Sequence, residues 1–204
     1  MKTDPKKAVA GYRAARGRFD VVTIAPARFL AIDGEGDPNT AASYRAALET
    51  LYPVAYRLRA LTRVEIGLDY VVPPLEALWW ADDMEAFTRR RDKDAWRWTA
   101  MLLVPEGVPG GLVESARDAV AAGRGAPALD ALRVLPLDEG LCVQTLHIGP
   151  YDEEGPVLAD MHERVIPERG LRLTGRHHEI YLGDPRRAAP EKLRTILRQP
   201  VARA

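Results

Sequence analysis

An apolar run that turns through an acidic, glycine-bearing corner into a helix occurs twice in this chain, and that repeated order limits the folds open to it. The first copy is Phe29-Leu30-Ala31-Ile32-Asp33-Gly34 followed by Glu35-Gly36-Asp37-Pro38-Asn39. Tyr44, Leu48, Leu51, Ala55 and Leu58 then recur at helical spacing, with Thr40 or Ser43 available as a cap. The second copy is Gln144-Thr145-Leu146-His147-Ile148-Gly149, then Pro150-Tyr151-Asp152-Glu153-Glu154-Gly155. There Pro156 suits the first helical position, Val157, Met161 and Val165 mark an apolar face, and Gly170 stops the helix. A duplication of this kind predicts an α+β fold of two strand-helix-strand-strand modules in a pseudo-twofold arrangement. Antiparallel sheets would meet at a cleft suited to a ligand. Residues 1–17 are a lead-in, and 18–204 form one domain of two repeats, about 18–124 and 125–204.

Alternation and punctuation fill in the rest. Strands are expected at 19–24 and, past Pro26, at 29–32; Pro53 predicts a kink in the first helix. Strands at 66–72 and 75–80 are parted by Pro73-Pro74, and Asp82 to Asp94 is a charged loop with a helical turn. A strand over 95–104 places Trp96, Trp98, Ala100, Leu102 and Val104 on one face. A helix runs from about Pro109 to Gly123, a Gly/Ala/Pro-rich connector covers 122–127, and strands follow at 129–135, 141–148 and 177–182. A short terminal helix is expected over 190–197.

Composition narrows the function classes. Lys+Arg and Asp+Glu are both 29 in a chain of 204 residues, and a net charge of zero speaks against nonspecific nucleic-acid binding, which draws on counterion release. The single cysteine, Cys142, permits neither an internal disulfide nor a Cys-based zinc site. With no long apolar segment, the expectation is a cytoplasmic protein, monomer or homodimer, without membrane or nucleic-acid partners. Gly34-Glu35-Gly36 lacks the third glycine of a dinucleotide loop and its acids would repel a pyrophosphate. No nucleophile elbow or phosphate loop occurs, so no cofactor and no metal are expected.

Two constellations carry chemistry. All four tryptophans lie between residues 79 and 98, as Trp79-Trp80 and Trp96-x-Trp98. They read either as core or as an aromatic wall that stacks on a flat or cationic ligand. Only one of Trp79 and Trp80 can face a given surface. In His177-His178-Glu179-Ile180-Tyr181-Leu182, alternation puts His177, Glu179 and Tyr181 on one face. A carboxylate beside a tyrosine in an apolar strand can act as a base toward water or as a counter-ion; an exposed edge-strand carboxylate is the plainer alternative. His177 and His178 point opposite ways, which disfavours zinc. Glu76, beside the tryptophan pair, is a further candidate for the ligand site.

Taken in order, Ile32-Asp33-Gly34-Glu35-Gly36-Asp37-Pro38-Asn39, Gly67-Leu68-Asp69-Tyr70-Val71-Val72, Pro74-Leu75-Glu76-Ala77-Leu78-Trp79-Trp80-Ala81-Asp82-Asp83, Trp96-Arg97-Trp98, His147-Ile148-Gly149-Pro150-Tyr151-Asp152-Glu153-Glu154-Gly155-Pro156 and His177-His178-Glu179-Ile180-Tyr181-Leu182-Gly183-Asp184-Pro185-Arg186-Arg187 form a set that resembles the stand-alone GyrI-like small-molecule-binding family from about residue 19 onward. The resemblance implies paired strand-helix-strand-strand modules with a cleft between them. It also implies ligands that are hydrophobic, aromatic and often cationic, or, in a hydrolase subgroup, cyclopropane-bearing DNA-alkylating compounds. On that footing Glu179 and Tyr181 are the catalytic candidates. Tyr70, Trp79, Trp80, Trp96, Trp98, Tyr151, His177 and Glu76 are the ligand-binding ones. The regulators of this family carry a DNA-binding helix-turn-helix for which residues 1–17 are too short. A protein-interaction adaptor is the remaining reading and would require an exposed apolar patch and an occluded cleft.

Overall fold

The computed structural model describes residues 2–81, 92–123 and 126–204; most of the expected charged loop over 82–94, with its Arg89-Arg90-Arg91 run, and part of the 122–127 connector lie outside the described residues. The strands are β1 (Asp20–Ile24), β2 (Ala27–Glu35), β3 (Leu75–Trp80), β4 (Arg97–Val104), β5 (Arg133–Leu137), β6 (Gly140–Ile148), β7 (Leu171–Leu173), β8 (His177–Tyr181) and β9 (Arg194–Arg203). The helices are α1 (Pro5–Ala8), α2 (Ala42–Glu65), α3 (Gly110–Ala121) and α4 (Gly155–Ala159). The last runs on through a π-helical stretch, Asp160–Val165, into α5 (Ile166–Glu168).

The fold is α+β on one large antiparallel sheet, ordered β1-β6-β9-β8-β3-β4-β2-β5, with β7 paired to β9. The pairing order β2-β4-β3 in the first half recurs as β6-β9-β8 in the second, and β3 meets β8 between them. Only Ala25-Pro26 separates β1 from β2, and only Asp138-Glu139 separates β5 from β6. Ile24 lies opposite Gly140 and Ala27 opposite Leu137, so both ladders keep one register and the strand path returns on itself.

The sheet divides the apolar side chains between two faces. On the helix side, Ala47, Leu51, Val54, Ala55 and Leu58 of α2 and Val113 and Ala116 of α3 pack against Leu30, Ile32, Ala77, Trp79, Trp98, Ala100, Leu102 and Val104. Met161, Val165 and Ile166 pack likewise on Val143, Leu197 and Val201. The opposite face holds Phe29, Ala31, Leu78 and Met101, and next to them Leu146, Ile180 and Ile196 against Tyr12. Tyr12 belongs to the residues ahead of β1, which form a strap: Thr3 bridges Tyr70 and Arg16 bridges Leu146.

Four expectations change. The strand expected over 129–135 begins only at Arg133, after a 3-10 turn, Leu129–Ala131. The strand at 66–72 is absent apart from the Tyr70 bridge: Gly67 turns out of α2 with φ +70°, and Pro73-Pro74 offers no N–H to a ladder. Residues 190–197 are not a helix; a 3-10 turn, Pro190–Lys192, precedes β9, a strand paired to β6 on one side and to β8 and β7 on the other and buried over most of its length. Its run of buried residues on both faces carries no period-2 signal. Neither Thr40 nor Ser43 caps α2, whose N-cap is Ala41; the Ser43 hydroxyl instead donates to the Glu35 carbonyl at 3.3 Å.

Candidate functional site

β3 and β8 run antiparallel with Ala77 opposite Glu179 and Trp79 opposite His177. Side chains on directly opposed residues share a face, so His177, Glu179, Tyr181 and Trp79 all project to the helix side, between α2 and the α4–α5 helix. Trp79 Nε1–H donates to the Tyr181 hydroxyl at 3.0 Å, and that hydroxyl donates to Glu179 Oε2 at 2.7 Å. The other carboxylate oxygen, Oε1, faces His177 Nε2 at 3.4 Å. The Glu179 side chain retains 13% of its exposure and His177 10%, which leaves the carboxylate reachable but largely out of water.

Aromatic rings surround this chain of donors. Tyr44 of α2 stacks on Trp79 with centroids 6.3 Å apart, and Trp96 meets Trp79 edge-on at 5.6 Å. Tyr151, in the corner after β6, meets Tyr181 edge-on at 5.5 Å. Lys93 stands 5.8 Å over the Trp96 ring and pairs with Asp152 at 3.0 Å. The pair ties the approach to β4 to the corner after β6. Burial, then the Glu179 charge, drives the Tyr44 and Tyr181 phenols above their ordinary range, and burial followed by Glu154 and Glu179 lifts Tyr151 to about 12. These phenols stay neutral donors.

A second carboxyl joins the site. Glu154 is the N-cap of α4, and its carbonyl accepts from the Val157 and Leu158 N–H groups, but its side chain makes no capping hydrogen bond. It is 4% exposed, and its Oε1 has no hydrogen-bond partner among the described residues. Burial first, and the Glu179 charge next, holds its carboxyl well above the usual carboxylate range. Thr195, opposite Tyr181 in the β8–β9 ladder, contributes a buried hydroxyl beside it. The π-helical stretch brings His162 to within 6.1 Å of the His177 ring; burial, with His177 adding to it, lowers His162 to about 4. π-Turns of this kind re-aim side chains at sites.

Six of the sequence candidates thus converge: Trp79, Trp96, Tyr151, His177, Glu179 and Tyr181. Trp98 is on the same face one layer deeper, fully buried, with Tyr44 edge-on at 4.9 Å. The choice between the paired tryptophans falls to Trp79. Trp80 and Glu76 are on the opposite face, and Tyr70 is buried near Thr62 at the end of α2. These three are not brought to the carboxylate. On that opposite face Arg176 stacks over Trp80 at 3.4 Å. Glu76 belongs to a closed ion cluster: it accepts from Tyr12 and lies 3.0 Å from His178 Nε2, His178 Nδ1 is 3.0 Å from Glu139 Oε1, and Arg198 donates to Glu139 Oε2 at 2.8 Å. Sequence reading missed Tyr44, Glu154 and His162. Tyr44 was visible on the apolar face of α2 but indistinguishable there from core, and Glu154 is one of three consecutive acids. Among the described residues, no group of His, Cys, Asp and Glu could hold a metal ion, and no helix is long and apolar enough to cross a membrane.

Comparison with known proteins places this architecture. A structure of an uncharacterized conserved protein from Listeria innocua is 36% identical over 98% of this chain and 100% of its own, with a TM-score of 0.88. A structure of a hydrolase from Listeria innocua is 36% identical over the same shares, at a TM-score of 0.84. The C-terminal domain of EcmrR, at 12% identity over 92% of this chain and 98% of its own, has a TM-score of 0.55 and shares the fold alone. No functionally curated protein matches the chain. The model of the GyrI-like small molecule binding domain matches residues 18–202, nearly the whole length, and the chain belongs to that family.

Proposed function

We propose that the protein binds hydrophobic, aromatic and often cationic small molecules between α2 and α4, with Glu179 as counter-ion and Trp79, Trp96, Tyr44 and Tyr151 as walls. The observation that carries this reading is the Trp79–Tyr181–Glu179 chain of hydrogen bonds. It fixes one carboxylate oxygen and leaves the other in a nearly dry, ring-lined setting, where a cation gains from both charge and ring faces. The repeated pairing order supports the division into modules at about residue 124, with the cleft across their β3–β8 seam. The buried lone thiol, Cys142, suits a reducing cytoplasm.

A second reading, hydrolysis, is favoured by the Listeria innocua relatives whose structures are named hydrolases, 35–36% identical over 98–99% of this chain. In this reading Glu179 takes a proton from water as the water oxygen bonds to a cyclopropane carbon. The breaking ring C–C bond passes its electron pair into a conjugated carbonyl, which is protonated to the phenol. Tyr181 holds the carboxylate in line.

Titration of tryptophan fluorescence with N-methylacridinium, a permanent cation, and with 9-methylanthracene, its neutral counterpart in shape, tests the first reading. Saturable quenching that favours the cation, and a cation affinity that falls about tenfold in Glu179→Gln with the neutral probe unaffected, is the expected result. Absence of saturation with both probes in the folded protein overturns it. For hydrolysis, a cyclopropane-fused dienone incubated in ¹⁸O-water should yield a singly labelled alcohol at a rate about 10²-fold or more above that of Glu179→Gln.

A further inference from the structure

We infer that Glu154 is a neutral second acid of the cleft, which loses its proton when a cation enters, so that the site adjusts its own charge to that of its ligand. The inference rests on the binding reading above. It starts from a mismatch: Glu154 is 4% exposed, sits at the head of α4 with a side chain that makes no capping hydrogen bond, and has a buried carboxylate oxygen without a partner among the described residues. Buried carboxylates are normally matched by a cation or by several donors. Among the described residues, the Glu179 and Asp152 charges oppose its ionisation, Asp152 being itself paired with Lys93, and the Thr195 hydroxyl favours it. Tyr151 and Tyr181 face both acids, and their own titration is pushed upward.

Two carboxyls sharing a low-dielectric site cannot both ionise cheaply, so one proton stays. Glu179 has the better claim to the charge, because the Tyr181 hydroxyl donates to it. An arriving cation reverses the balance for Glu154: its field favours the carboxylate and a proton leaves to solvent. A neutral aromatic ligand leaves Glu154 protonated and meets one negative charge instead of two. The cleft can thereby take planar ligands of either kind and hold cations more tightly as pH rises.

Calorimetric titration with N-methylacridinium in buffers of different ionisation enthalpy counts protons released on binding. Measured from pH 5 to 9, wild type should release up to one proton per cation over the range in which its affinity rises. Glu154→Gln should release none and show a flat profile, and 9-methylanthracene should release none from either protein. Cation binding without proton release overturns the inference and leaves the binding reading standing; no binding of either probe removes the reading itself.

Stability gives a ligand-free check. A carboxyl whose folded pKa is raised is protonated in the native state but ionised when unfolded, so wild type loses stability as pH rises above the unfolded value near 4.5. Glu154→Gln should then have the higher urea midpoint at pH 7, and the two midpoints should converge near pH 4. A Gln variant that is less stable at pH 7 and gains nothing on wild type between pH 4 and 7 overturns the inference.

Discussion

At the scale of the residue, the ring cluster around Trp79 depends on the cross-strand pair Gly34 and Trp98. A Cβ added at Gly34 would stand 2.2 Å from the Trp98 ring, so glycine is required there by the close approach of an indole rather than by backbone conformation. The ring in turn supports Tyr44 edge-on, and Tyr44 stacks on Trp79. Gly34→Ala must push the indole toward Tyr44 and is expected to cost about 1–3 kcal/mol of stability, the usual range for overpacking. Urea unfolding measures it. Because Trp98→Leu vacates the space the new methyl needs, the double variant should be more stable than the sum of the single costs by about 1 kcal/mol. Strict additivity would show that the two side chains do not meet. The same displacement should weaken N-methylacridinium binding in Gly34→Ala, since Trp79 loses its backing.

At the scale of the element, the strap ahead of β1 is tied to the sheet by polar contacts at its centre. Arg198 donates to the Gly11 carbonyl at 2.6 Å, Gln144 donates to the Arg13 carbonyl at 2.9 Å, and the Tyr12 hydroxyl donates to Glu76. Glu76 is 1% exposed, so Tyr12→Phe removes a donor that water cannot replace and should cost about 1–3 kcal/mol. Lys6→Ala, which removes an exposed bond to the Leu182 carbonyl, should change stability by no more than about 0.5 kcal/mol; equal effects in the urea midpoint would deny the strap its anchoring role. Sequence alone presents this segment as a lead-in, because its partners on the sheet are more than 60 residues distant in sequence and no local pattern announces them. What the sequence does carry is the alternation of β8, which sets Glu179 and Tyr181 on one face, and the helical spacing of α2 and α4. Alternation in β3 separates Trp79 from Trp80 and Glu76, but which set meets the helices is decided by the β3–β8 pairing, a long-range fact. The strand β9 escapes notice for the same reason: a strand paired on both sides and buried on both faces has neither polar alternation nor a turn signal within it. Glu154 is hidden differently, since burial of one acid in Asp152-Glu153-Glu154 follows from the packing of the corner and not from its composition.

At the scale of the whole molecule, a cluster of charges on the face away from the helices joins β3 of the first half to β8, β9 and the β5–β6 turn of the second. Burial alone would raise the Glu139 carboxyl, yet the His178 imidazolium and the Arg198 guanidinium beside it bring it down to about 2. Burial likewise opposes the charge on His178, and Arg198 opposes it too, but Glu139 and Glu76 outweigh both and raise its pKa above the ordinary 6.5. The two shifts have opposite consequences for stability. Glu139, depressed in the folded state, contributes stability above its unfolded value of about 4.5 that is lost as pH falls toward 2. His178, raised in the folded state, contributes stability that is complete below about 6.5 and is lost as pH climbs through its folded value. The cluster is therefore strongest between about pH 4.5 and 6.5 and weakens on either side. The difference in unfolding free energy between wild type and His178→Gln isolates the alkaline limb, because Glu154 titrates alike in both and cancels. That difference should be level from pH 5 to 6.5 and shrink steadily above it; a difference that stays constant to pH 9 would mean that His178 is neutral in the native protein and that Glu76 and Glu139 are reconciled without it. Strands β3, β8, β9 and the β5–β6 turn supply these four side chains, so a loss of charge at His178 loosens the same β3–β8 seam that aligns Trp79 with Glu179 on the other face. Alkaline weakening of stability should therefore persist in Glu154→Gln, where the second acid no longer titrates.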